Sequence, residues 1–252
     1  VQYNAIVSMN STVDLYAKYE PIVTNLYLYS GDRKIFEYTV EYGEDFTLPV
    51  LSKYGYTYNG WYEEDTFNHK VTIVTGGLED QEFYVEFLMD ITKLSYYEYL
   101  SPANPVVTIT VKNFGVMTLE LFPSIAKNTV DNFISYIQAG QYSGSTFHRV
   151  IEDFMIQGGI VSTTSCPITG DFSTNGITND LSHTKGVISM ARTNDVNSAT
   201  SQFFIVHKSS TFLDGSYAAF GGVTSGFDVL DSIALVSTNP YDAPRTTVAI
   251  ES

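Results

Sequence analysis

Arg149 stands between two strand-like runs in the stretch GSTFHRVIEDFMIQGG, residues 144–159. Its chemistry is that of a fixed charge. A guanidinium keeps its proton at any working pH and presents five N–H donors in a rigid fork, so it can grip or polarise an amide without transferring a proton. Residues 146–150 have the β-branched and aromatic make-up of a strand, and residues 153–157 form a second run after a polar break at Glu152. Side chains two apart share a face of a strand, so Met155 and Gln157 are expected on one face and Phe154 and Ile156 on the other. By the same alternation His148 is expected to face away from Arg149 and to be structural. Gly158 and Gly159 close the run with backbone too permissive for a regular strand. Stripped of these flanks, Arg149 would read as an ordinary surface residue.

Other chemistries lack their residues. Serine, histidine and aspartate are abundant, but no GxSxG elbow occurs, and Gly158-Gly159 and Gly221-Gly222 lack the lysine and helix of a phosphate loop. His69, His148, His183 and His207 show no close ligand spacing and Cys166 is the only cysteine, so no metal, cofactor or internal disulfide is expected. A net charge of −15 and a pI near 4.4 repel polyanions, which argues against nucleic acid as a partner. No apolar run approaches the roughly 20 residues that span a bilayer, so no transmembrane segment is expected.

The elements that must position Arg149 follow from periodicity. Two strands, residues 106–111 and 116–122, are expected to join in a hairpin with Gly115 at the turn. Pro123 then opens a helix in which Val130, Phe133, Ile134 and Ile137 recur at i, i+3, i+4, i+7, and Gly140 ends it. Residues 186–191 and 201–206 supply further strands, Phe227, Leu230 and Ile233 or Ala234 mark a second helix, and residues 246–250 give a closing strand. Composition changes near residue 100. Residues 1–100 hold 15 of the 19 tyrosines and 16 acidic against 6 basic residues, whereas the remainder holds 12 against 7. Two domains are therefore expected, divided at residues 101–105, where two prolines stiffen a short connector.

The segments FHRVIEDFMIQGG, GVISMART, SATSQFFIV, FLDGSYAAFGGV and FDVLDSIA occur in this order, and the set resembles the cyclophilin family of peptidyl-prolyl cis-trans isomerases over residues 106–250. The resemblance implies a mainly β fold in residues 101–252, a closed eight-stranded barrel capped by two helices. It implies an enzyme that rotates X-Pro bonds in proline-containing polypeptides, with Arg149 as its catalytic residue. Phe154, Met155, Phe204 and Leu213 match positions lining the proline pocket, Gln157 and Gln202 match polar pocket positions, and Ala191 with Arg192 match the segment that receives the substrate backbone. Phe212, Tyr217 and Arg192 belong to the same substrate-binding set but stand where many eukaryotic members carry Trp, His and Asn. These three choices resemble the bacterial secreted subgroup and imply weak binding of cyclosporin.

The first hundred residues carry a partial internal repeat. LYAKY at residues 15–19 matches FYVEF at residues 83–87 in character, which implies a tail strand of a preceding unit in residues 1–20 and one full unit with its connector in residues 21–100. Within that unit, VEYGE, LP and GYTYNGWY resemble the Listeria–Bacteroides type of B repeat of internalin-like bacterial surface proteins, a small β-grasp module. Its glycines are expected to mark strand ends and a tight turn packed on Trp61. The two resemblances together imply an isomerase assisting extracytoplasmic folding, secreted or attached to a bacterial surface, with cell-wall or surface partners for the repeat. The alternative reading is a cell-surface module that grips proline peptides, or acts in adhesion, without turnover.

Overall fold

Alternation is what builds the first unit. In the computed structural model, which describes residues 21–252, Leu26 and Leu28 of β1 (Val23–Ser30) are fully buried while the alternating Tyr27 and Tyr29 are partly exposed. The tail strand expected in residues 1–20, and with it half of the internal repeat, lies outside the described residues. β1 pairs antiparallel with β2 (Arg33–Glu41); β3 (Asp45–Thr47), β4 (Tyr56–Tyr62), β5 (Lys70–Val71), β6 (Ile73–Thr75) and β7 (Gln81–Met89) follow. The five-stranded sheet runs β2-β1-β7-β4-β5, with β1 and β7 parallel at its centre, and β3 pairs with β6 in a separate two-stranded sheet. Trp61 fills the core with Leu26, Leu28, Phe83 and Val85, and its indole N–H donates to the Pro49 carbonyl at 2.6 Å, so a large apolar ring is buried with its one polar group satisfied. Of the two glycines, Gly55 at φ 77 lies in a turn at the start of the strand, closed by the Tyr56 N–H on Lys53 O at 3.1 Å, whereas Gly60 lies within β4 beside a register shift between Tyr58 and Gly60.

The chain divides into its two units at Asp90/Ile91, ahead of the connector expected at residues 101–105. The reason is Tyr96. It is fully buried in the second unit and donates its hydroxyl to the Val223 carbonyl at 2.6 Å, while Tyr99 stacks on Phe122 and Asn104 donates to the Glu120 carboxylate at 2.7 Å. Residues 91–105 are thus part of the second unit.

That unit contains β8 (Val106–Val111), β9 (Gly115–Leu121), α1 (Lys127–Gln138), β10 (Phe147–Ile151), β11 (Met155–Gly158), β12 (Val187–Met190), β13 (Phe203–Val206), β14 (Ala219–Ser225) and α2 (Phe227–Ala234). One curled sheet of seven strands runs β10-β11-β13-β12-β14-β9-β8. The closed eight-stranded barrel does not form. Residues 246–250, expected as the closing strand, make only isolated bridges, Val111 with Ile250 and Thr146 with Ala249. The segment splits its backbone bonds between the two edges. The Glu251 N–H donates to Thr110 O, and the Thr110 and Lys112 N–H groups to Ser252 O and Ala249 O. On the other side the Ile250 N–H donates to Ser145 O, and the Gly144 and Phe147 N–H groups to Ile250 O and Val248 O, so that each edge gains one isolated bridge and no continuous ladder.

Helix α1 begins at Lys127 rather than at Pro123. Its Ala126 N-cap has no side-chain acceptor, and the buried carboxylate of Asp171 takes that role from a distant loop, accepting from the Thr129 N–H and hydroxyl at 2.8 Å each. The buried stripe is also rotated: Thr129, Val130, Phe133 and Tyr136 face inward, while Ile137 is exposed. Tyr136 earns its place by packing on Tyr142 and accepting from the Ser165 N–H at 2.7 Å, and Phe133 meets Phe203 edge-on at 5.3 Å, which ties α1 to β13.

Candidate active site

Strands β10 and β11 form the hairpin that presents Arg149. Phe147 pairs with Gly158 but Arg149 pairs with Gln157, so His148 is an extra residue in β10 and the strand bulges there. The bulge breaks the alternation: Phe147 and Val150 are buried while His148 and Arg149 are only partly covered. A bulge of this kind re-aims the side chain beside it, here the guanidinium. Gly159 ends β11 at φ +82, where a Cβ would lie 2.7 Å from Ser201 O and 2.8 Å from the Phe203 ring.

A cavity of about 130 Å³ opens beside Arg149, walled by Phe154, Met155, Gln157, Ala191, Arg192, Phe204, Leu213 and Tyr217. Met155, Phe204 and Leu213 are buried and supply an apolar floor. Phe154 joins Met155 and Gln157 on the same wall, against the expected alternation, because it precedes β11 in a turn where Asp153 adopts φ 60. Two of the residues matched to the site lie outside the wall. Gln202 accepts from the Gln157 amide at 3.0 Å and so holds it from behind. Phe212 is 73% exposed, its ring 5.6 Å from that of Phe154 at the rim.

Arg192 is already engaged. Its Nε and Nη2 donate to Ser216 O at 3.0 and 2.9 Å, its Nη1 donates to Thr193 O at 2.9 Å, and the guanidinium lies 4.3 Å over the Tyr217 ring. It therefore fixes the Tyr217 wall. The Ala191 N–H likewise donates to Gln202 O at 2.9 Å.

Two further residues support the site and carry no local signal in the sequence. His183, almost fully buried, stacks on Phe204 with ring centroids 6.0 Å apart, approaches Asp214 at 2.8 Å through Nδ1 and meets the Ser189 hydroxyl at 3.0 Å through Nε2. Burial pushes its pKa below the usual value, with Asp214 pulling the other way. For Asp214, burial opposes ionisation, but the His183 N–H, the Ser182 hydroxyl and the imidazole together hold the carboxyl below its ordinary range. Asp242 pairs with Arg149 across the chain, its Oδ2 accepting from Nε and lying 3.2 Å from Nη2 as well. A second cavity of about 180 Å³ lies against α1, between Phe133, Ile137, Tyr142, Phe203 and Ile250; no charged residue lines it.

The cavity beside Arg149 thus sets two permanent cations, Arg149 and an Arg192 already bonded to the Ser216 and Thr193 carbonyls, against an apolar floor and a glutamine, with no nucleophile or proton-transfer pair in its wall. Comparison with known proteins gives this arrangement a context. The family model described as cyclophilin type peptidyl-prolyl cis-trans isomerase/CLD matches residues 106–252. The chain is 44% identical over 156 residues to the peptidyl-prolyl cis-trans isomerase cyp18 of Streptomyces antibioticus, covering 55% of this chain and 91% of that protein. It is 38% identical over 153 residues to peptidyl-prolyl cis-trans isomerase B of Escherichia coli, covering 56% and 93%. Among solved structures, a cyclophilin type peptidyl-prolyl cis-trans isomerase of Cryptosporidium parvum superposes with a TM-score of 0.54 at 26% identity, covering 59% of this chain and 95% of that one. A structure of it in the presence of the dipeptide Ala-Pro gives 0.53. With more than half of its length matched by the family model, and with the fold and curated isomerases agreeing, the chain belongs to the cyclophilin-type peptidyl-prolyl cis-trans isomerases.

Proposed function

We propose that Arg149 is the catalytic residue, acting on X-Pro bonds of polypeptides whose proline ring enters the slot between Phe154, Met155, Phe204 and Leu213. An X-Pro bond turns through a twisted state about 18–20 kcal/mol above the planar amide, because nitrogen and carbonyl share the lone pair. A fixed cation donating a hydrogen bond near the prolyl nitrogen localises that pair on nitrogen and lowers the barrier, and about 1.4 kcal/mol of differential stabilisation suffices for each tenfold gain. Gln157, held by Gln202, orients the peptide, and Tyr217, fixed by Arg192, bounds the slot. The observation that carries this reading is the shared wall: Arg149 and an apolar floor in a single small cavity whose other cation, Arg192, is bonded to the Ser216 and Thr193 carbonyls. Exchange NMR on a proline peptide tests it. Arg149→Ala should lower catalytic efficiency by about two to three powers of ten, roughly 3–4 kcal/mol, while ground-state peptide binding weakens much less. Near-normal turnover would remove Arg149 from the mechanism and favour a proline-peptide binding or adhesion module.

The setting is bacterial and extracytoplasmic in this reading, the isomerase belonging to the secreted subgroup and tethered through B repeats. Support comes from the resemblance of residues 40–62 to surface-protein repeats and from the mixed sheet of the first unit, in which β1 and β7 pair in parallel at the centre as the first and last strands of a β-grasp motif do. Protease shaving of intact cells, followed by detection of the released chain, tests the location; a chain found only in the cytosolic fraction would overturn it.

A further inference from the structure

We infer that Asp242 is a positioning residue for Arg149, holding the guanidinium at the angle that turns its remaining donors into the cavity; this rests on the reading of Arg149 as catalytic. One carboxylate oxygen takes the Nε–H at 3.2 Å and lies at the same distance from Nη2, which engages one edge of the fork and leaves Nη1 for the cavity that Arg149 lines together with Phe154, Met155 and Gln157. Asp242 does not line the cavity itself. An ion pair this exposed contributes little to stability, so its significance lies in geometry. The geometry is built at both ends. Asp242 is tied to the strand that carries Arg149, because the Val150 N–H donates to Asp242 O at 2.8 Å. Its loop is closed by Asn239, whose backbone carbonyl accepts from the Asp242 N–H at 3.0 Å and whose Oδ1 accepts from the N–H groups of Tyr241 and Ala243 at 2.9 and 3.1 Å. A bridge between Thr238 and Pro244 pins the loop base. Within it Asp242 takes φ 63, a conformation that Asp, Asn and Gly adopt more readily than other residues. A flexible four-torsion side chain, placed on a bulge, thereby meets a carboxylate whose own backbone is locked to the same strand.

That φ value selects the test. In the full chain, Asp242→Gly removes the carboxylate and keeps the backbone, Asp242→Asn keeps an acceptor without the charge, and each is also made in an Arg149→Ala background. Turnover and affinity for a proline tetrapeptide are measured by exchange NMR, and the Arg149 Nε–H resonance is followed in 15N correlation spectra. Asp242→Gly should lower turnover about tenfold with affinity changed less than twofold, and should broaden the Nε–H signal into solvent exchange. Asp242→Asn should restore turnover to within about threefold of the parent and bring the signal back. In the Arg149→Ala background neither change at Asp242 should matter. A tenfold loss that persists in that background, or turnover within twofold of the parent in Asp242→Gly while Arg149→Ala is crippled, would overturn the inference and leave the catalytic role of Arg149 standing. Near-normal turnover in Arg149→Ala alone would instead overturn the reading on which it rests, and this inference with it.

Discussion

The Tyr96 ring packs so close to Gly222 that a Cβ there would fall 2.4–2.8 Å from three of its atoms, and its hydroxyl donates to the neighbouring Val223 carbonyl. Gly186 completes the slot, since a Cβ at its φ of +89 would lie 2.6 Å from the same hydroxyl. The segment before the connector is therefore a plug in the second unit. A chain beginning at Ser101 should be less stable than one beginning at Ile91. Tyr96→Ala should cost about 3–5 kcal/mol, as for other large buried rings, and Tyr96→Phe about 1–3 kcal/mol through the orphaned carbonyl. Urea unfolding of residues 91–252 and 101–252 compares the two directly; equal midpoints would mean that the plug contributes nothing.

Arg149→Lys should recover little of the turnover lost in Arg149→Ala. A lysine places a point charge on a flexible stem and cannot satisfy Asp242 while presenting donors to the cavity. Turnover within threefold of the parent would show that charge alone is sufficient.

His183 makes stability depend on pH. Its folded pKa lies below the ordinary 6.5 because of burial, so in that range the unfolded chain binds more protons than the folded one. The stabilisation is therefore present above 6.5 and is lost as pH falls below it. His148, also lowered by burial, acts with the same sign. Urea midpoints should fall between pH 7 and pH 5, and His183→Gln should flatten part of that slope. An unchanged slope in the variant would assign the dependence elsewhere.

Cyclosporin should inhibit weakly. Phe212 sits exposed at the rim and has no N–H to donate, and a hydrogen bond from an indole typically nets roughly 0.5–1.5 kcal/mol. Phe212→Trp should tighten inhibition by up to about tenfold, measured by titration against peptide turnover; no change would remove the indole from the explanation.

What could be read in the sequence was whatever depends on neighbours along the chain. The β8–β9 hairpin and the stripe of α2 follow from spacing alone, and the cavity wall follows from the order of five motifs. What escaped depends on partners brought from afar. Asp171 caps a helix 42 residues away, which is why Pro123 misplaced its start. Asp242 meets Arg149 across 93 residues, and no local pattern marks either. Period-two reasoning failed at Phe154 and His148 for another reason: a turn residue with positive φ and a bulge each reset the alternation within one step.

The parallel pairing of β1 with β7 has a mechanical consequence. Because β1 and β7, the first and last strands of the unit among the described residues, run the same way side by side, Val23 and Met89 lie at opposite ends of the sheet, about 30 Å apart for a nine-residue strand. Tension applied through Val23 and Met89 pulls these two strands past each other along their length. The hydrogen bonds in register from Leu26 and Gln81 to Tyr29 and Tyr84 then bear the load together, in shear, instead of opening one after another like a zip.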